Sequence, residues 1–130
     1  MRMKRGLVTF FVGLAGSGKT HRMRRTPHDW MCDEGVMSTD LHEQNHRELV
    51  LRLRRGERCL VSEIRLVDRY IRSGYQTRLR SSARGSRITW VFFENDPKTA
   101  NHNCRKRTNK PSDKGGRVHM RINRQATLRY

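Results

Sequence analysis

The chain has 130 residues, 34% of them hydrophobic, and its 29 lysines and arginines outweigh 12 acidic residues for a formal net charge of +17. That length suits a single domain over residues 1–130 with a modest core. No apolar run approaches the ~18 residues of a membrane span, so neither a span nor a membrane partner is expected.

The first element in chain order is a strand over residues 7–12, Leu-Val-Thr-Phe-Phe-Val, which runs straight into glycines. It is too short and wrongly continued for a signal peptide. A short basic helix over 19–25 follows, and Pro27 stops it. The cluster 35–40 reads as a brief second strand. Residues 41–55 read as a helix, with Leu41, Leu49, Val50 and Leu53 near one face and Gly56 as its stop. Residues 59–62 form a buried third strand that ends at Glu63. A second amphipathic helix spans 66–80, with Leu66, Val67, Tyr70, Ile71 and Leu79 facing inward. A loop over 80–87 leads to a strand over 88–93. Asp96-Pro97 then opens a helix running to about Arg107. Residues 108–117 lack any period and read as a mobile, lid-like loop, and 118–122 as a weak fifth strand in a loosely structured tail to 130. Strands alternating with helices imply an α/β fold with a parallel sheet.

The most specific pattern is Gly13-Leu14-Ala15-Gly16-Ser17-Gly18-Lys19-Thr20, directly after the first strand and opening the first helix. This is the phosphate-binding P-loop spacing in its proper strand–turn–helix context. Glycines let main-chain N–H groups turn inward around phosphate oxygens. Lys19 is placed to reach the β- and γ-phosphates, and the Thr20 hydroxyl to hold Mg²⁺. ATP and Mg²⁺ are the expected ligands.

Ligands of such sheets gather beyond the carboxyl ends of the strands. Asp40, Glu63 and Glu94 each follow an expected strand end. Mg²⁺ takes oxygen donors, which makes Glu63 its second candidate ligand beside Thr20. Asp40 is suited to accept a proton from an attacking hydroxyl, or else to cap the helix behind it. Arginine commonly neutralises a migrating phosphoryl group, and Arg72, Arg105 and Arg107 lie in suitable segments.

Four segments together resemble the P-loop kinases of the polynucleotide-kinase and zeta-toxin branch. They are the loop Gly13 to Thr20; Ser38-Thr39-Asp40; Glu63 followed nine residues later by Arg72; and Trp90-Val-Phe-Phe-Glu-Asn-Asp-Pro97 leading to Asn103 and Arg107. The resemblance covers about residues 7–107. It implies a three-layer P-loop fold with five strands in the order 2-3-1-4-5 and an arginine-bearing lid. It also implies that Lys19, Asp40, Arg72 and Arg107 carry catalysis, with Asp40 as general base. Glu63 stands where that family more usually has Asp. The region beyond the lid lacks the family's clear final strand and helix.

Two rival readings remain. His42-Glu43-Gln44-Asn45-His46 matches H-E-x-x-H, the zinc-hydrolase pattern. Here it lies one helix after a P-loop and lacks a third ligand at family-like spacing, so it reads as a polar first helical turn. The charge supports the other rival, a nucleotide-dependent module that binds nucleic acid or protein without kinase activity. Residues 1–65 hold 13 basic against 8 acidic residues, and 66–130 hold 16 against 4. An anionic partner such as nucleic acid follows. The bias of 23 arginines over 6 lysines equally fits a GC-rich genome, and no aromatic stacking pattern stands beside the basic residues. Cys32, Cys59 and Cys104 are odd in number and form no C-x-x-C pair. That argues for reduced thiols and a cytoplasmic setting.

Overall fold

The computed structural model describes residues 5–14, 17–37, 40–93, 98–99 and 102, with only the backbone at 40 and 41. Its elements in chain order are β1 (Leu7–Val12), α1 (Lys19–Arg25), β2 (Trp30–Cys32), α2 (Asp40–Arg54), β3 (Arg58–Ser62), a 3₁₀ turn (Ile64–Val67), α3 (Arg69–Ser82) and β4 (Arg87–Phe92). The four strands form one sheet in the order β2-β3-β1-β4. Every pairing is parallel, with Val8 opposite both Cys59 and Ile88, and Trp30 opposite Cys59.

Alternation along β1 divides its side chains between two faces. Val8, Phe10 and Val12 join Cys59 and Val61 of β3, Leu49, Val50 and Leu53 of α2, and Tyr75 and Leu79 of α3 in the main core. Phe11 and Leu60 face the other way and meet Met23 of α1. Helices thus cover both faces of the sheet, giving three layers. Phe10 stacks on Trp90 at 4.8 Å and meets Tyr75 edge-on at 5.7 Å, tying β1, β4 and α3 together. Burying each such aromatic or Val side chain contributes roughly 1.5–3 kcal/mol.

The order 2-3-1-4 agrees with the expected sheet as far as four strands. The fifth strand at 118–122, the loop at 108–117 and the helix from Asp96-Pro97 to Arg107 lie outside the described residues, apart from helical backbone at 98, 99 and 102.

Three boundaries differ from expectation. The second strand is Trp30–Cys32, not 35–40. Gly35 there has φ +98°, which no strand accommodates, whereas Cys32 pairs with Val61 and is buried. The helix expected over 66–80 is split. Leu66 and Val67 belong to the 3₁₀ turn, and the Asp68 carboxylate caps α3 by accepting from the N–H groups of Tyr70 (2.9 Å) and Ile71 (3.4 Å). That reset turns Tyr70 outward, where it is 79% exposed. At its other end α3 continues to Ser82, so the loop is shorter than 80–87.

Candidate active site

The P-loop leaves the carboxyl end of β1, the middle of the sheet. A Cβ on Gly13 would lie 2.9 Å from Cβ of Phe93 and 3.0 Å from Oγ of Ser17. Only glycine lets the loop turn here, pressed against the end of β4, where the Phe93 N–H donates to the Val12 carbonyl at 2.9 Å. Gly18 caps α1 with φ +93° and offers no side chain to its first N–H groups; the first turn holds no acidic residue. Lys19 is buried, and its ammonium donates back to the Gly13 carbonyl at 2.5 Å. Thr20 is half-buried in the same turn. The Ser17 hydroxyl is buried and finds no hydrogen-bond partner among the described residues. An orphaned buried hydroxyl costs roughly 1–3 kcal/mol.

Gly13, Ser17 and Lys19 are therefore brought together. Leu14 is fully buried and anchors the loop in the main core. Ala15 and Gly16 lie outside the described residues. The donor set suits a phosphate: an ammonium, an unpartnered hydroxyl and open helix-start N–H groups.

Glu63 follows β3 and is 5% exposed. Its Oε1 accepts the Val36 N–H at 3.2 Å. Both carboxylate oxygens crowd Gly35, where a Cβ would stand 3.0 and 3.1 Å from them. The Gly35 carbonyl in turn accepts from Asn45 Nδ2 at 2.9 Å and from the Cys32 thiol at 3.6 Å. Three side chains, Cys32, Asn45 and Glu63, thus fix the turn that leads into α2. Burial raises the Glu63 pKa above the usual carboxylate range, against the lowering pull of the Val36 and Arg65 N–H groups.

Asp40 begins α2 instead of ending a strand, because β2 finishes at Cys32. Its side chain, Ser38, Thr39, Glu94, Asn103, Arg105 and Arg107 lie outside the described residues. Arg72 is half-buried on α3, donates to the Leu66 carbonyl at 2.9 Å, and lies 5.0 Å over the ring of Phe92. It thereby stands beside the end of β4 that borders the P-loop strand.

No protein-family model matches the chain, and no curated protein matches it. Among solved structures, a chain of the Pnkp1/Rnl/Hen1 RNA repair complex superposes with a TM-score of 0.63 at 13% identity. The alignment covers 99% of this chain and 47% of that one, so this chain spans about half its length. The likeness is one of fold. A gluconokinase from Sinorhizobium meliloti 1021 aligns over 94% of this chain and 76% of its own at 20% identity, with a TM-score of 0.47.

The H-E-x-x-H pattern serves the chain's own packing. His42 Nδ1 bonds to the Met37 carbonyl, while His46 is 4% exposed, bonds through Nδ1 to the Tyr75 hydroxyl at 2.9 Å and packs edge-on against its ring. The polar turn expected here is therefore half core. Cys32 and Cys59 are free and buried, and burial pushes the Cys59 thiol up to about 12. Cys104 lies outside the described residues. No described helix is long and apolar enough to cross a membrane.

Sequence reasoning missed Asn45 and Asp68. Asn45 carries no local signal, because its partner is ten residues away across a turn. Asp68 did carry one, an Asx residue before an amphipathic run.

Proposed function

We propose that this domain binds ATP with Mg²⁺ at Gly13 to Thr20 and transfers the γ-phosphate to a hydroxyl acceptor. The acceptor is a nucleic-acid end, a nucleoside or a small molecule. The observation that carries the reading is the buried Ser17 hydroxyl, without a hydrogen-bond partner among the described residues, in the same loop as the buried Lys19 and the close-packed Gly13. A phosphate oxygen satisfies that hydroxyl.

Lys19 and the loop N–H groups bind and orient the triphosphate. Thr20 and Glu63 supply oxygen donors of the kind Mg²⁺ takes. When bound, the ion neutralises phosphate charge. Asp40 accepts the proton of the acceptor hydroxyl as its oxygen bonds to the γ-phosphorus. The bond to the β–γ bridging oxygen breaks, and ADP leaves. Arg72 and Arg107 offset charge on the migrating group. The turn clamped by Glu63 and Asn45 fixes where α2, and so Asp40, begins.

The test is label transfer from γ-labelled ATP to a panel of acceptors that includes 5′-hydroxyl RNA and DNA. Wild-type protein is expected to label at least one. Asp40→Ala is expected to abolish transfer while ATP affinity stays within about twofold, and Lys19→Ala to weaken ATP binding sharply in calorimetry. Transfer that persists in Asp40→Ala removes the base assignment. ATP affinity unchanged by Lys19→Ala removes the nucleotide site. ATP binding with no transfer to any acceptor favours the binding-module reading.

A further inference from the structure

One face of α3 carries, beside the Arg72 of the proposed transfer site, basic and polar side chains that the site does not use. Arg69, Arg72, Gln76 and Arg80 recur along it and, with Ser73 and Thr77, line a groove of about 260 Å³. By helical rise, Arg69 to Arg80 spans roughly 16 Å.

Among the described residues, the ion pairs join Arg52 to Glu48 and Glu57, Arg58 to Asp29, and Arg78 to Glu43. Arg78 points from α3 toward α2 and is neutralised there. Arg69, Arg72 and Arg80 have no carboxylate partner in this set. Their contacts are neutral: Leu66 carbonyl oxygen for Arg72, and for Arg80 the Gln76 amide, turned so that its oxygen accepts at 3.1 and 2.9 Å. These contacts orient the guanidinium groups and leave their charge intact.

Two exposed aromatics flank the same row. Tyr70 is 79% exposed with the Arg69 guanidinium 5.3 Å from its ring centre. Phe92 is 52% exposed, lies under Arg72 at 5.0 Å, and continues the stack of Phe10 and Trp90 at 6.3 Å from Trp90. No aromatic stacking pattern stands beside the basic residues in sequence, but the fold sets Phe92 under Arg72 from 20 positions away.

We infer that this face of α3 is a track for a single-stranded polynucleotide, with phosphates on Arg69, Arg72 and Arg80 and bases stacked on Tyr70 and Phe92. Arginines with no carboxylate partner among the described residues bind any phosphate chain, but exposed aromatic rings beside them select one whose bases are unstacked. A duplex or an acidic peptide offers no free base to stack. The track shares only Arg72 with the proposed transfer site, which the variants below leave intact, and ATP binding and label transfer are measured separately.

The test uses the full chain and a labelled single-stranded oligonucleotide, as RNA and as DNA, titrated between about 50 and 200 mM salt. Wild-type protein is expected to bind at least one of them. Arg69→Ala with Arg80→Ala is expected to lower affinity and flatten the log–log salt slope by about 1.4, from about 0.7 per phosphate contact. Tyr70→Ala is expected to weaken binding about tenfold with the slope unchanged. Arg24→Ala with Arg25→Ala, exposed on α1, is expected to change neither, and ATP affinity is expected to hold in all three variants. Absence of strand binding by the wild type overturns the inference. An equal loss in the α1 pair overturns it too, because the strand then follows net charge. Equal affinity for duplex, or equal displacement by polyaspartate, together with no effect of Tyr70→Ala, also overturns it.

Discussion

The Glu63 carboxylate accepts the main-chain N–H of Val36 across 27 residues of sequence, at 3.2 Å and almost out of solvent. This one contact ties the end of β3 to the turn before α2, and so ties two parts of the candidate site that the sequence presents separately.

Burial raises the Glu63 pKa, so the folded state keeps a proton that the unfolded chain releases at about pH 4.3. The Glu63 contribution to stability is full below that value and is lost as pH rises through the folded value. Glu63→Gln keeps an oxygen for Val36 and removes the charge. The variant is expected to gain stability relative to wild type as pH rises, with no difference near pH 4, read by thermal unfolding across pH. A difference independent of pH means the carboxyl is not proton-linked to folding. If Glu63 also holds Mg²⁺, the same variant loses about tenfold in Mg²⁺-dependent ATP affinity.

Gly35 takes φ +98°, and any Cβ there would press on both Glu63 oxygens at 3.0–3.1 Å. Gly35→Ala is expected to cost about 2–3 kcal/mol, combining left-handed backbone strain with displacement of the carboxylate. Gly18→Ala has a similar φ but open space around it, and is expected to cost only about 1 kcal/mol. Denaturant titration of both variants checks the order, and equal losses would show that the Glu63 contact contributes nothing.

His46 is held neutral by burial, with Arg78 adding to the effect; both lower its pKa. The unfolded chain therefore takes up this proton first on acidification. The His46 contribution is full above about pH 6.5 and is lost as pH falls toward the folded value. His46→Gln is expected to flatten the fall in stability between about pH 7 and 5, at the cost of weaker packing on Tyr75. An unaltered pH slope in the variant places the acid sensitivity elsewhere.

Much of the fold was legible because its signals are local. Strands β1, β3 and β4 are apolar runs bounded by turn residues, and α2 announces itself by the period of Leu49, Val50 and Leu53 and by Gly56, which takes φ +80° just past its end. The P-loop pattern is a spacing of residue types written in order along the chain, and Gly13, Ser17 and Lys19 of it are brought together in the fold. β2 was not, because three residues have no period, and only pairing with β3 makes Trp30–Cys32 a strand. His46 looked like part of a polar turn, yet the helix axis points it at Tyr75, 29 residues on.

The sequence by itself determined that a glycine-rich loop of P-loop spacing joins a buried strand to a helix in a parallel α/β sheet. Main-chain conformation and hydrophobic period depend on neighbours a few residues apart, and those are written in order along the chain. Only the tertiary structure decided that Glu63 grips the turn before Asp40, that His46 belongs to the core, and that Arg72 lies on Phe92. Each is a meeting of residues far apart in sequence, fixed by how the strands align and how the helices lie across them, and no local pattern encodes it.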